Sequence, residues 1–411
     1  MSKRTILFVN SGSRLKEFTL QKAKEMNLNL VLVNSSLTWE KPYINYFIQA
    51  NTYNHQEVLE KVREFAKKHR IDGVVTFWER DVVLTAKIAQ MLHLPGMSIE
   101  AAQRGRNKLL MIEALHKSNV PHPRFWPVNN FQDLLEGLEY IQLPAILKPL
   151  SGAASKNVVK IETKNPKDLR KLFFQLYKLT QPEHDPIFYY DPGRFLLEEY
   201  LDGPEVSVEG IVVGKETYLV AITDKLPMHG PYFIERGDNL PSRHPLYIQE
   251  RIYKIVEKAI KVLGFENCGI HAELRIVKEQ PKIVEIAARL GGDYICDWVE
   301  TVYGVDLAKK IVRIALGETV NPKRKFQHCY LSGRYFIPHK SGYLKALRGL
   351  EALKKLPGLH ELKILYNIGD FVRVPPQGYD YIGWVVAEGS SPQKADEVVE
   401  TALRKVQIEI E

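Results

Sequence analysis

Glu273 and Glu285 lie equally far on either side of Glu279, in a stretch from Ile270 to Arg289. Its apolar alternation predicts a β-hairpin that turns at Lys278-Glu279-Gln280-Pro281-Lys282 and brings the two carboxylates face to face. Like charges directly opposite on an antiparallel pair repel, so such a pair is either fully wetted or supplied with a cation. Ile270, Ala272, Leu274 and Ile276 share one face with Val284, Ile286, Ala288 and Leu290, which is the expected buried face. His271, Glu273, Arg275, Glu285 and Arg289 share the other, where two carboxylates suit a hard divalent cation and two guanidiniums suit an anion. Metal plus anion points to a nucleoside triphosphate. An amphipathic hairpin with a solvated charged face fits the same pattern, so the hairpin by itself does not decide.

The elements that would position these groups form an ordinary globular chain. With 411 residues, 45% hydrophobic and 26% charged, it is long enough for two to four cores. Cys268, Cys296 and Cys329 have no C-x-x-C spacing, which argues against a zinc ribbon or a disulfide framework. The apolar run after Met1 is too short for a signal peptide and no segment approaches a membrane span, so a cytoplasmic protein without a membrane partner is expected. The formal charge of +8 raises nucleic-acid binding. The excess is local, with thirteen Lys and Arg against six Asp and Glu in residues 101–180 but eleven against ten in 330–411. No zinc-finger, RNA-binding or helix-turn-helix pattern accompanies it, and a small polyanion such as ATP accounts for it more economically.

Residues 1–100 read as strand, helix, strand, with the rhythm repeating through a helix near His55, a strand at Gly73 and a helix from Arg80, which predicts a parallel three-layer domain. Its first turn, Asn10-Ser11-Gly12-Ser13, is no dinucleotide fingerprint. Residues 101–130 read as a connector punctuated by Pro121, Pro123 and Pro127. A strand at Leu143–Leu147 runs into Lys148-Pro149 and a loop of small residues, 151–157, then strand character resumes, which suits a phosphate-covering flap. A plain surface hairpin loop would look the same. Strands are expected at 195–200 and 205–213, and a mixed tail from Tyr330 carries no evident chemistry.

The order Lys108, Lys148-Pro149, small-residue loop, Glu198-Glu199-Tyr200-Leu201-x-Gly203-Pro204-Glu205, His271-x-Glu273 and Glu285-Ile286-x-x-Arg289-Leu290-Gly291-Gly292 resembles the ATP-grasp superfamily. Within it, Ile222-Thr223-Asp224-Lys225, the segment Pro231 to Gly237, and Pro241-Ser242 resemble the branch of L-amino-acid ligases and carnosine synthase-like enzymes. The resemblance implies an α/β ATP-grasp fold in four parts: an N-terminal Rossmann-like domain at 1–100, a connector and small lobe at 101–205, a large lobe with the hairpin at 206–329, and a C-terminal mixed α+β domain at 330–411. It implies ATP as cofactor with Mg2+, or Mn2+ in its place. Lys108, Lys148 and Ser155 would meet the phosphates, and Glu198 with the backbone of Glu199, Tyr200 and Leu201 would meet adenine. Glu205 would hold the ribose, and Glu273 and Glu285 the metal. Arg289 and His271 would act on the reacting groups, and His229, Tyr232, Glu235 and Arg236 on the substrates.

Two departures stand out: Ala287 occupies the place where the family usually has a metal-binding Asn, and Asn157 that of a glycine before the valines. The implied reaction joins a carboxylate to an amine, both small molecules and amino acids in the first place, with ADP and phosphate released. A bicarbonate-phosphorylating carboxylase, an ATP-binding regulator and a nucleic-acid binder compete with it. A homodimer through the tail is left open.

Overall fold

A computed structural model describes residues 3–226 and 231–411. Strands Thr5–Val9, Asn29–Asn34, Tyr46–Gln49 and Gly73–Val75 form a parallel sheet in which Thr5–Val9 is central and buried along its whole length. A continuous apolar run is what a parallel strand covered on both faces requires. Tyr46–Gln49 escapes sequence reading because it is an edge strand that buries only Ile48.

The small lobe is an antiparallel sheet in the order Phe125–Val128, Phe195–Glu199, Ala145–Pro149, Val159–Ile161. Pro127, which suggested a connector, lies in the outermost strand, where a missing N–H breaks no ladder. Helices Phe131–Tyr140 and Pro166–Leu179 seal the lobe's core through Leu134, Leu138, Leu169 and Phe173. Asn130 and Asn165 cap them by accepting from the N–H groups of Asp133 and Lys167.

An eight-stranded sheet carries the hairpin at one end, in the order Gln280–Ala287, Cys268–Val277, Glu205–Val213, Glu216–Lys225, Gly237–Leu240, Tyr330–Phe336, Gly383–Gly389, Leu359–Ile364. It runs without a break past residue 330, because Tyr330–Phe336 pairs antiparallel with Gly237–Leu240. Helix Leu246–Leu263 covers one face with Ile248, Ile252, Val256, Ile260 and Leu263. Each such burial contributes about 1.5–3 kcal/mol. The helix ends at Gly264, whose φ of 73° is the left-handed cap that glycine adopts without strain. Among the described residues no helix is long and apolar enough to cross a membrane.

Candidate active site

The hairpin's geometry departs from the expected five-residue turn. The chain reverses on Lys278 and Glu279 alone, both at positive φ (48° and 61°), and Gln280, Pro281 and Lys282 already belong to the return strand. A two-residue turn would place Glu273 opposite residue 284. One extra residue shifts the register between Glu273/Glu285 and Leu274/Ile283, and the two glutamates end up as direct partners. That bulge moves Val284 off the buried face to which alternation assigned it: Ile283 is fully buried, while Val284 lines a cavity and its carbonyl accepts from Lys148 Nζ at 3.1 Å.

This cavity, of about 390 Å³, lies between the two lobes and the N-terminal domain, and His271, Glu273, Arg275, Glu285 and Arg289 all line it. Lysines compensate the paired carboxylates. Lys108 Nζ stands 3.0 Å from Glu285, and Lys225, with 4% of its side chain exposed, stands 3.5 Å from Glu273 and also pairs with Glu235. Burial pushes the Glu273 carboxyl up, but Lys225 and His271 outweigh it and hold the group well below the usual range. His271 lies between Glu209 (Nδ1, 2.6 Å) and Glu273 (Nε2, 3.3 Å). Burial opposes its charged form, yet the Glu209 carboxylate wins and raises its pKa to about 9. At neutral pH His271 is therefore an imidazolium that orients Glu273, with no free lone pair to act as a base.

The guanidiniums expected to hold an anion are committed to carboxylates. Arg275 donates to Glu205 Oε2 through Nε (3.0 Å) and Nη2 (2.8 Å), and to the Leu201 carbonyl at 3.2 Å. Arg289 pairs with Glu79 from the N-terminal domain and donates to the Leu290 carbonyl at 2.9 Å. Burial raises the Glu205 pKa, and the nearby Glu273 charge adds to it. Lys148 and Glu198 form a 2.8 Å pair with 4% of each side chain exposed, and burial raises the Glu198 pKa. Glu198 Oε1 has no hydrogen-bond partner among the described residues. A buried acceptor left open beside a lysine suits an amino group on a planar base. The Glu199 carboxylate is tied to Arg124 (2.7 Å) and Lys282 (2.6 Å) and its N–H donates to the Arg124 carbonyl (3.0 Å), which leaves its carbonyl for recognition. Tyr200 and Leu201 follow along the same wall.

The flap covers this end, and Gly152 to Lys156 face the cavity, Ser155 among them. Ala154, Ser155 and Asn157 adopt left-handed φ of 56°, 52° and 60°, which asparagine tolerates better than most residues. The flap is clasped from outside: the Asn157 N–H donates to the Tyr379 hydroxyl at 2.9 Å, and Lys156 pairs with Asp185 at 2.6 Å.

Of the three expected substrate residues that are described, Tyr232, Glu235 and Arg236, only Glu235 lines the cavity. Tyr232 bridges to Val159 and packs on the small-lobe core, Arg236 is exposed away from the cavity, and His229 falls outside the described residues. Sequence reasoning missed Lys225, Glu79, Asp293 and Tyr381. Lys225 had a signal, since it ends the quoted Ile222-Thr223-Asp224-Lys225, but its role needs the partners that folding supplies. Tyr381 comes from the tail that seemed to carry no chemistry.

A metal ion and ATP are groups that this arrangement fits. Among the described residues no group of three or more His, Cys, Asp or Glu is placed to hold a metal. Two facing carboxylates nonetheless suit Mg2+, which keeps waters and phosphate oxygens in its other positions. With Ala287 in its place, the asparagine ligand is not replaced from that position.

Comparison with known proteins agrees with this layout. Residues 141–297 match the model of the ATP-grasp domain, 20–96 that of the ATP-grasp N-terminal domain, and 334–411 that of the L-amino acid ligase C-terminal domain 2. The chain is 26% identical to Homo sapiens carnosine synthase 1 over 96% of its own length and 50% of that protein's. It is 29% identical to Bacillus subtilis alanine–anticapsin ligase over 63% of its own length and 57% of that protein's. The matches thus span 50% and 57% of these two relatives' own lengths. The crystal structure of L-amino acid ligase from Bacillus licheniformis superposes with a TM-score of 0.85 over 100% of both chains at 20% identity, a likeness of fold. Domain models, their order and the fold agree: the chain belongs to the ATP-grasp superfamily and ends in a domain that matches the closing domain of the L-amino acid ligases.

Proposed function

We propose that the protein is an ATP-dependent carboxylate–amine ligase that joins an amino acid, through its carboxylate, to the amine of a second amino acid. The observation that carries this reading is the direct pairing of Glu273 with Glu285 in a cavity that Lys108, Lys148 and the flap share. Glu273 and Glu285 would hold Mg2+, which neutralises the triphosphate and orients its terminal phosphoryl group. Lys108 and Lys148 add point charges for phosphate oxygens, Glu198 and the 199–201 backbone receive the base, and Glu205 accepts from the ribose hydroxyls.

A carboxylate is a poor electrophile because its oxygen leaves badly. Its attack on the γ-phosphorus breaks the bond to ADP and converts that oxygen into part of a phosphate leaving group. The amine then attacks the acyl carbon, the C–O bond breaks, inorganic phosphate departs and the nitrogen loses a proton. Arg289, which lines the cavity while paired with Glu79, would stabilise charge on the transferring group or the substrate carboxylate, and the flap would keep water from an acyl phosphate that otherwise hydrolyses. The relatives named carnosine synthase and alanine–anticapsin ligase support amino acids as substrates. ADP release measured against pairs of amino acids, with mass detection of the product, tests the proposal. Release that needs both partners and vanishes in Glu285→Ala is expected. Release that depends on bicarbonate instead, or on no second substrate, contradicts it.

A further inference from the structure

Eight carboxylates line the cavity, and seven of them sit within 3.5 Å of a lysine or arginine. The eighth, Asp293, has no ion-pair partner among the described residues. Its Oδ2 accepts only the Tyr335 hydroxyl, at 2.7 Å. Lys16, close enough to feel the Asp293 charge, donates its ammonium to the Gly291 carbonyl at 3.1 Å, and burial lowers its pKa. Asp293 follows Gly291-Gly292 in the loop between Ala287 and Ile295 that also carries Arg289, and its φ of 45° is left-handed. Beside it the Tyr335 ring stacks on Tyr381 at 4.2 Å, and Tyr381 forms the cavity wall toward Glu235. A cavity in which every other carboxylate has a lysine or arginine beside it, with Lys225 serving two, and in which one is left open against an aromatic wall, is suited to a further cation brought in from outside.

We propose that Asp293 is a specificity-determining residue that recognises a positively charged nitrogen on one of the two substrates. This rests on the ligase reading for the identity of the ligands. The nitrogen belongs either to the α-ammonium of the amino acid that is activated or to a basic side chain, and the two sources are separable. A carboxylate held by a single tyrosine hydroxyl gains a charge-assisted hydrogen bond from either, and the Tyr381 ring adds a cation–π contact. A substrate with neither group leaves Asp293 desolvated and unpaired, so it is rejected.

Calorimetry on the full chain with Mg2+ and a non-hydrolysable ATP analogue provides the test. Leucine against 4-methylpentanoate reads the α-ammonium, and lysine against norleucine reads the side-chain charge. In one of these pairs the charged member is expected to bind roughly tenfold tighter or more, a preference that Asp293→Asn removes while nucleotide affinity stays unchanged. Asparagine keeps the shape and tolerates the left-handed backbone, and Tyr335→Phe, which only frees the carboxylate from its hydroxyl partner, is expected to reduce the preference a few-fold. Equal binding within both pairs, or an undiminished preference in Asp293→Asn, overturns the assignment. Wild-type protein that shows the preference yet releases no ADP with any pair sinks the ligase reading and leaves the ammonium site standing.

Discussion

At the residue scale the site is a set of opposed charges that hold one another in place. Lys225 is the centre of one set, buried between Glu235 and Glu273. Lys225→Met leaves two carboxylates without their cation, and a loss of about 3–5 kcal/mol in urea unfolding is expected, with part of it regained in Lys225→Met/Glu235→Gln. His271 gives the pH dependence. Its folded pKa of about 9 lies above the ordinary 6.5, so the His271–Glu209 pairing contributes fully below pH 6.5 and is lost as pH rises through 9. A stability loss on the order of 3 kcal/mol between pH 7 and pH 10 is expected from this group. The same scan on His271→Asn should be flatter, and parallel curves would refute the assignment. Glu273 and Glu285 were legible because alternation and spacing place them on one strand face, and Arg289 because it follows the return strand two residues past its end. Lys225, Glu79 and Asp293 were not, since a buried charge is recognised only by partners far away in sequence.

Elements decide whether those residues meet. The hairpin was legible, but its register was not: a two-residue turn and a bulge at Val284 make Glu273 and Glu285 partners, whereas a five-residue turn at 278–282 without a bulge would have set Glu273 opposite Ala287. The bulge that aligns Glu273 with Glu285 also turns Val284, which alternation had placed in the core, toward the cavity. The flap was legible from its small residues, but its clasp was hidden because Tyr379 reaches Asn157 only through the folded tail. Tyr379→Phe removes the hydroxyl that accepts the Asn157 N–H. The flap should then be cut several-fold faster by protease in the presence of ATP, and more phosphate should be released per amide formed. Unchanged coupling would show that the clasp is idle.

The whole molecule is knitted by the sheet that crosses residue 330. Tyr330–Phe336 and Gly383–Gly389 extend the large-lobe ladder, and Tyr335 and Trp384 share a buried aromatic cluster with Tyr294 and Trp298. The tail therefore completes the core next to Asp293. Residues 1–329 alone would expose Tyr294 and Trp298, which Tyr335, Trp384 and Gly333 of the tail cover, together with one open sheet edge, and are expected to bind hydrophobic dyes and lose cooperative unfolding. A fragment that unfolds cooperatively and still binds ATP would contradict this. The tail's strands were recognisable as a mixed domain, but nothing in its periodicity shows which edge of which sheet it joins.

The central claim is that Glu273 and Glu285 together hold the metal that ATP brings. Titration of Mn2+ followed by electron paramagnetic resonance, with ATP present, tests it on the intact chain. Wild-type protein should bind Mn2+ in an ATP-dependent manner, and Glu273→Gln and Glu285→Gln should each weaken that binding by roughly tenfold or more, with the fold retained. Metal bound equally well by both variants in the presence of nucleotide would contradict the account.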